Sequence, residues 1–142
     1  MIKFTANWSR FQVEQGVPYQ IGARDWLISI SDVDTPRAVI ADNFDRVLFL
    51  KFDDAERETD GTLMSEAQAK EIAAFIREAD AKGFNVWANC HAGMCRSGAV
   101  VEVLGMLGWQ IADDYSPERI PNRHVFNLLR KQFKRLLNSW EI

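Results

Sequence analysis

Asn85-Val86-Trp87-Ala88-Asn89-Cys90-His91-Ala92-Gly93-Met94-Cys95-Arg96-Ser97-Gly98-Ala99-Val100-Val101 is the stretch on which the reading of this 142-residue chain turns. Asn85 to Asn89 is a nearly continuous apolar run, as strands buried on both faces of a sheet are. Ser97 to Leu107 is apolar almost all round apart from Glu102, which predicts a helix sunk in the middle of the fold. One short loop joins the end of the strand to the start of that helix.

Working outward, Trp26 to Ser31 and Val47 to Phe52 read as two more buried strands, and Phe11 to Glu14 as a fourth at an edge. Ser65 to Lys82 reads as a helix: Ser65 and Gln68 form a capping box, Ile72, Phe75, Ile76 and Ala79 recur at helical spacing, and Gly83 ends it. Arg123 to Asn138 is a third helix, with Pro121 near its start and Val125, Phe126, Leu129, Phe133, Leu136 and Leu137 as its inward stripe. This order predicts an α/β fold, a central and mostly parallel sheet flanked by helices. No repeat or linker breaks the pattern, so residues 1–142 read as one domain.

The loop is where chemistry concentrates. Between a strand end and a helix N-terminus, unpaired backbone N–H groups and the positive end of the helix dipole converge to make an anion site. The sequence puts a thiol and a guanidinium into it. Cys90 is expected to have its pKa lowered from about 8.5 by the dipole and by Arg96, giving a thiolate nucleophile. Arg96 offers a planar fork matched to two phosphate oxygens. Phe52-Asp53-Asp54-Ala55-Glu56 adds a carboxylate pair at the carboxyl end of a strand, the edge where sites of open α/β sheets lie.

The pattern C-x2-G-x2-R-S-G resembles the phosphate-binding loop of the cysteine-dependent protein tyrosine phosphatases. The runs Trp26 to Ile30 and Leu48 to Asp54, with Pro121-Asn122-Arg123-His124-Val125-Phe126, extend the likeness to the compact dual-specificity-type members of bacteria and phages. The resemblance implies that Cys90 forms a phosphocysteine and that Arg96 clamps the equatorial oxygens. The backbone amides of His91, Ala92, Gly93, Met94, Cys95 and Arg96 would complete the cradle, with Gly93 and Gly98 allowing close approach to the phosphate. It further implies that Ser97 hydrogen-bonds the Cys90 sulfur and that Asp54 is the general acid, Asp53 being one residue of slip away. The family's histidine before the nucleophile is Asn89 here, which can still donate a hydrogen bond to a loop carbonyl. The implied substrate is a phosphorylated protein or peptide, on phosphotyrosine and, through a shallow pocket, on phosphoserine and phosphothreonine.

Composition bounds these readings. Gly, Pro and charge content are ordinary, which excludes collagen-like, disordered and coiled-coil classes. A net charge of −3 gives no global attraction to nucleic acid or an anionic membrane. The longest apolar stretch, Ala99 to Trp109, is far shorter than the roughly 20 residues a bilayer requires, and the start has no apolar signal segment. A cytoplasmic protein without a membrane partner is expected. Cys90 and Cys95 lack a second ligand pair for zinc, and neither a metal nor another cofactor is expected.

Three rivals stay open. A phosphate-binding pseudophosphatase would keep the cradle and lose turnover. An RNA 5′-phosphatase would share the loop, and Arg119, Arg123, Arg130, Lys131, Lys134 and Arg135 form a basic segment that could follow a nucleic-acid backbone, although such a segment is more often the solvated outer face of an amphipathic helix. The Cys-x4-Cys-Arg-Ser spacing also looks like low-molecular-weight phosphatases and arsenate reductases, but their acid lies downstream of the loop and here it precedes it. Cys95 itself reads either as a resolving thiol for an oxidised Cys90 across the loop or as an inert packing residue.

Overall fold

Parallel strands need crossover connections and cover on both faces, and the chain supplies both. The computed structural model describes residues 1–134. Strands β1 (Phe4–Thr5), β2 (Asn7–Ser9), β3 (Asp25–Ser31), β4 (Arg46–Lys51), β5 (Asn85–Cys90) and β6 (Gln110–Ile111) are joined by helices α1 (Arg10–Gln15), α2 (Glu66–Lys82) and α3 (Arg96–Met106), and α4 (Arg123–Lys131) follows. Four strands form one parallel sheet in the order β2-β5-β3-β4, while β1 and β6 make a separate parallel pair. This is the α/β architecture, with helices flanking a parallel sheet, that the hydrophobic pattern predicts.

β3 is buried along its whole length because its two faces serve two cores. Trp26, Ile28 and Ile30 pack with Ile72 and Ile76 of α2, Val100 and Leu104 of α3, and Leu129 of α4. Leu27, on the other face, joins a smaller cluster of Trp8, Val13 and Trp87 under α1 and the β3–β4 connection. There the rings of Trp8 and Trp87 stack 4.7 Å apart. Each fully enclosed aliphatic side chain contributes about 2 kcal/mol relative to exposure, so the sheet that carries the loop is held firmly on both sides.

Two expectations are corrected. Phe11 to Glu14 is not an edge strand; it lies within α1, where Ser9 and Gln12 form a capping box of the same kind as Ser65 and Gln68. A six-residue helix that buries only Val13 has no apolar period to read. The edge strand is the three residues before it, β2, in register with Ala88, Asn89 and Cys90. The third helix runs over Arg123–Lys131 and buries Val125 and Leu129 of the expected stripe; Leu136, Leu137 and Asn138 lie outside the described residues. Among the described residues no helix is long and apolar enough to cross a membrane.

Candidate active site

The loop from β5 to α3 turns its carbonyls outward and holds them there. Arg10 N–H donates to His91 O at 3.1 Å, Ile120 N–H to Met94 O at 3.1 Å and Asn122 N–H to Cys95 O at 2.9 Å. The Asn7 side-chain amide donates to Gly93 O at 2.7 Å. The N–H groups have the opposite fate. From His91 to Gly98 none meets an acceptor among the described residues. A run of donors without partners at a helix N-terminus is a concave anion site in need of an acceptor.

At the root of the loop is Cys90, the last residue of β5 and only 2% exposed. Its Sγ lies 3.2 Å from Ser97 Oγ, in the first turn of α3. Arg96 is also buried, and its Nη1 donates to Asp32 Oδ1 and to Phe52 O, each at 2.8 Å. One side of the guanidinium is therefore docked on the protein, rather than the whole fork standing open. Nε is buried and has no partner, a condition that costs a charged donor several kcal/mol unless an anion or water meets it.

Of the two adjacent acids, one faces this loop. Asp54 is exposed, accepts from Asn122 Nδ2 at 2.8 Å, and acts on the Cys95 thiol through its charge. Burial, and then the Asp54 carboxylate, push that thiol up to about 11. Asp53 points elsewhere: it accepts from Thr62 N–H at 2.8 Å and Val33 N–H at 3.2 Å. The Thr62 bond foremost, then Val33, holds its carboxyl below the usual range. Asp53 thus serves as a fixed acceptor that ties the acid segment to residues 33 and 62.

Asn89 does not prop the loop. Its side chain is buried in the sheet, its Oδ1 has no partner, and the loop carbonyls are held by other groups. Asn7 does part of that work, reaching from β2 to Gly93 O and also to Pro117 O. Gly93 is needed for a different reason from close approach to a ligand. Its φ is +75°, and a Cβ there would come within 2.5 Å of the Trp8 and Ser9 backbone. At Gly98 a Cβ would make ordinary contact with Arg119 at 3.5 Å, so that position does not require glycine for space. His91 and Ala92 are exposed at the rim.

Asp32, Asn7 and Asn122 are site residues that the sequence reading missed. Asn122 carries the clearest signal, since an Asn after Pro121 and before an apolar period is an N-cap, and its Oδ1 accepts from Val125 N–H at 3.0 Å. The basic segment is dispersed. Arg119 is held by Glu102 and Asp113, the Arg130 guanidinium lies over the Phe126 ring, and Arg123 and Lys131 line a cavity of about 360 Å³ with Glu56. Arg135 lies outside the described residues. No protein-family model matches the chain, and no curated protein matches its sequence.

Proposed function

We propose that this chain is a phosphomonoester hydrolase that works through a phosphocysteine intermediate, on phosphotyrosine and also phosphoserine or phosphothreonine of proteins, without a metal or other cofactor. The observation that carries the reading is the unpaired run of amides from His91 to Gly98, together with the unpartnered Nε of Arg96 in the same segment, following directly on Cys90. A phosphoryl group has three equatorial oxygens that such donors could meet, and donors fixed in place before the reaction stabilise its transition state. In the first step the Cys90 sulfur, as thiolate, attacks phosphorus while the bond to the leaving oxygen breaks. Asp54, as the general acid, gives a proton to that oxygen. In the second step water attacks the phosphocysteine, Asp54 takes the water's proton, and the sulfur leaves as thiolate. Ser97 Oγ, 3.2 Å from that sulfur, stabilises the departing charge.

The test is turnover of a generic aryl phosphate by the purified protein. Cys90→Ser should abolish turnover and retain binding of phosphate and vanadate, and Arg96→Lys should lower turnover by orders of magnitude despite its conserved charge. Cys90→Ser activity above about a tenth of wild type would correspond to less than about 1.4 kcal/mol of barrier and would exclude the covalent route.

A further inference from the structure

The residues that pin the loop also decide what stands round its mouth, and the two sides differ in kind. Beside His91 the chain continues from Arg10 into Phe11, which is 71% exposed. Beside Met94 stands Ile120, 52% exposed. Two large apolar side chains standing in water, each on a residue that pins the loop or follows one that does, are more than scattered surface hydrophobics. On the other side stand Asp32, on Arg96, and Asp54, on Asn122. The two acidic segments behind them, with Asp34 on one and Glu56 and Glu58 on the other, are joined by Val33 N–H donating to Asp53.

Two cations near the mouth, Arg10 and Arg119, are committed to the protein itself, while Arg123, next to Asn122, lies with Lys131 on the cavity that Glu56 also lines. Arg10 pairs with Glu14 and donates to the carbonyls of Pro36 and Arg37, and Arg119 pairs with Glu102 and Asp113. Arg96 is the cation of the cradle, with its buried Nε unpartnered. Resting on the phosphatase reading above, we infer that the mouth selects a phosphorylated residue in a peptide with an apolar side chain on one side and a basic one on the other. A nucleic-acid chain or a multiply phosphorylated small molecule would bring further negative charge against Asp32 and Asp54, where like charges oppose binding and opposite charges favour it. Phe11 and Ile120 offer apolar area that a sugar-phosphate chain does not match.

The experiment compares phosphotyrosine peptides of one length with leucine and arginine flanks in both orders, the same peptides with glutamate flanks, and 5′-triphosphorylated RNA. Each is measured as kcat/KM relative to a small aryl phosphate, and as affinity for Cys90→Ser protein by anisotropy, a readout that does not need turnover. One leucine–arginine order should exceed the glutamate peptides by about tenfold or more in both readouts, chiefly through KM, and the gap should shrink at about 0.5 M salt. Phe11→Ser and Ile120→Ser should lower the ratio of peptide to aryl phosphate kcat/KM several-fold, whereas a merely structural defect would lower both together. If aryl phosphate is not turned over but the affinities keep this order, the hydrolase reading fails and the inference on the mouth stands. Equal affinities, a preference for glutamate flanks, or tighter binding of the RNA overturns the inference whatever the turnover.

Discussion

Asn122 joins three parts of the site, so its replacement has consequences that can be worked out bond by bond. Its Nδ2 donates to Asp54 Oδ1 at 2.8 Å and to Ala55 O at 3.1 Å, and its Oδ1 caps α4 through Val125 N–H. The residue is 3% exposed, so water cannot replace these partners without opening the structure. Loss of the cap costs about 1 kcal/mol, the bond to a carboxylate about 2 kcal/mol and the bond to Ala55 somewhat less. Asn122→Ala should therefore lose about 4 kcal/mol, which for a chain of this length lowers Tm by about 13 °C. Asn122→Asp keeps the capping oxygen, loses the donor, and sets a second carboxylate against Asp54, which separates the cap from the tether. Thermal unfolding followed by circular dichroism should place Asn122→Asp between wild type and Asn122→Ala. In a series of aryl phosphates both variants should slow those with poor leaving groups more than those with good ones, because a loosened Asp54 delivers its proton less well. If Asn122→Asp matches wild type in Tm and in leaving-group dependence, the tether does not matter and the reasoning is wrong.

Glycine positions offer a paired check: Gly93→Ala should cost more than about 2 kcal/mol, from its positive φ and the collision with β2, while Gly98→Ala in α3 should be neutral or slightly stabilising in denaturant titration. The depressed carboxyl of Asp53 contributes stability that is present above its unfolded value of about 3.9 and is lost as pH falls through the lower folded value. Asp53→Asn should flatten stability against pH below about 4, with little leaving-group dependence, and an unchanged acid limb in pH-dependent unfolding would show that its two backbone bonds are not made. A Cys95 thiol at about 11 is on the order of one part in ten thousand thiolate at pH 7. After peroxide treatment its capture of an oxidised Cys90 should thus be slow at neutral pH and accelerate as pH rises, with Cys95→Ser inactivated at the wild-type rate at pH 7. Rapid disulfide formation at pH 7 by peptide mass analysis would show that the raised thiol does not limit the capture.

The elements readable in the sequence were those whose own residues determine them. α2 has its capping box, its period and its terminal glycine, and β5 and α3 are apolar enough to be identified without knowing their neighbours. β2 could not be read, since Asn7, Trp8 and Ser9 become a strand only by pairing with residues 88 to 90, about eighty positions away. The same distance hid Asn7 as the holder of Gly93 O and Asp32 as the partner of Arg96, because nothing local to either residue marks its partner. Asn89 shows the converse. Its position before Cys90 suggested a local hydrogen bond to the loop, yet the sheet turns its side chain inward between Trp8 and Ser29, its register partners on either side. The acid pair fell between these cases: strand end and spacing located Asp53 and Asp54, and only the folded segment separates the acid on backbone amides from the acid on Asn122.

The outward carbonyls of the loop are held from residues 7, 10, 120 and 122, that is, from segments far apart in the chain. Parallel pairing over such separations forms slowly, after local helices and turns. A chain collapsed around α2, α3 and β5 alone would leave Trp8 of β2 in water and the Trp87 ring without the partner it stacks on, and nothing would hold the carbonyl of Gly93 from Asn7. Docking of β2 thus serves the loop and the tryptophan stack at once, so during refolding the capacity to bind phosphate should return together with the fluorescence change of the Trp8–Trp87 pair, and not before it.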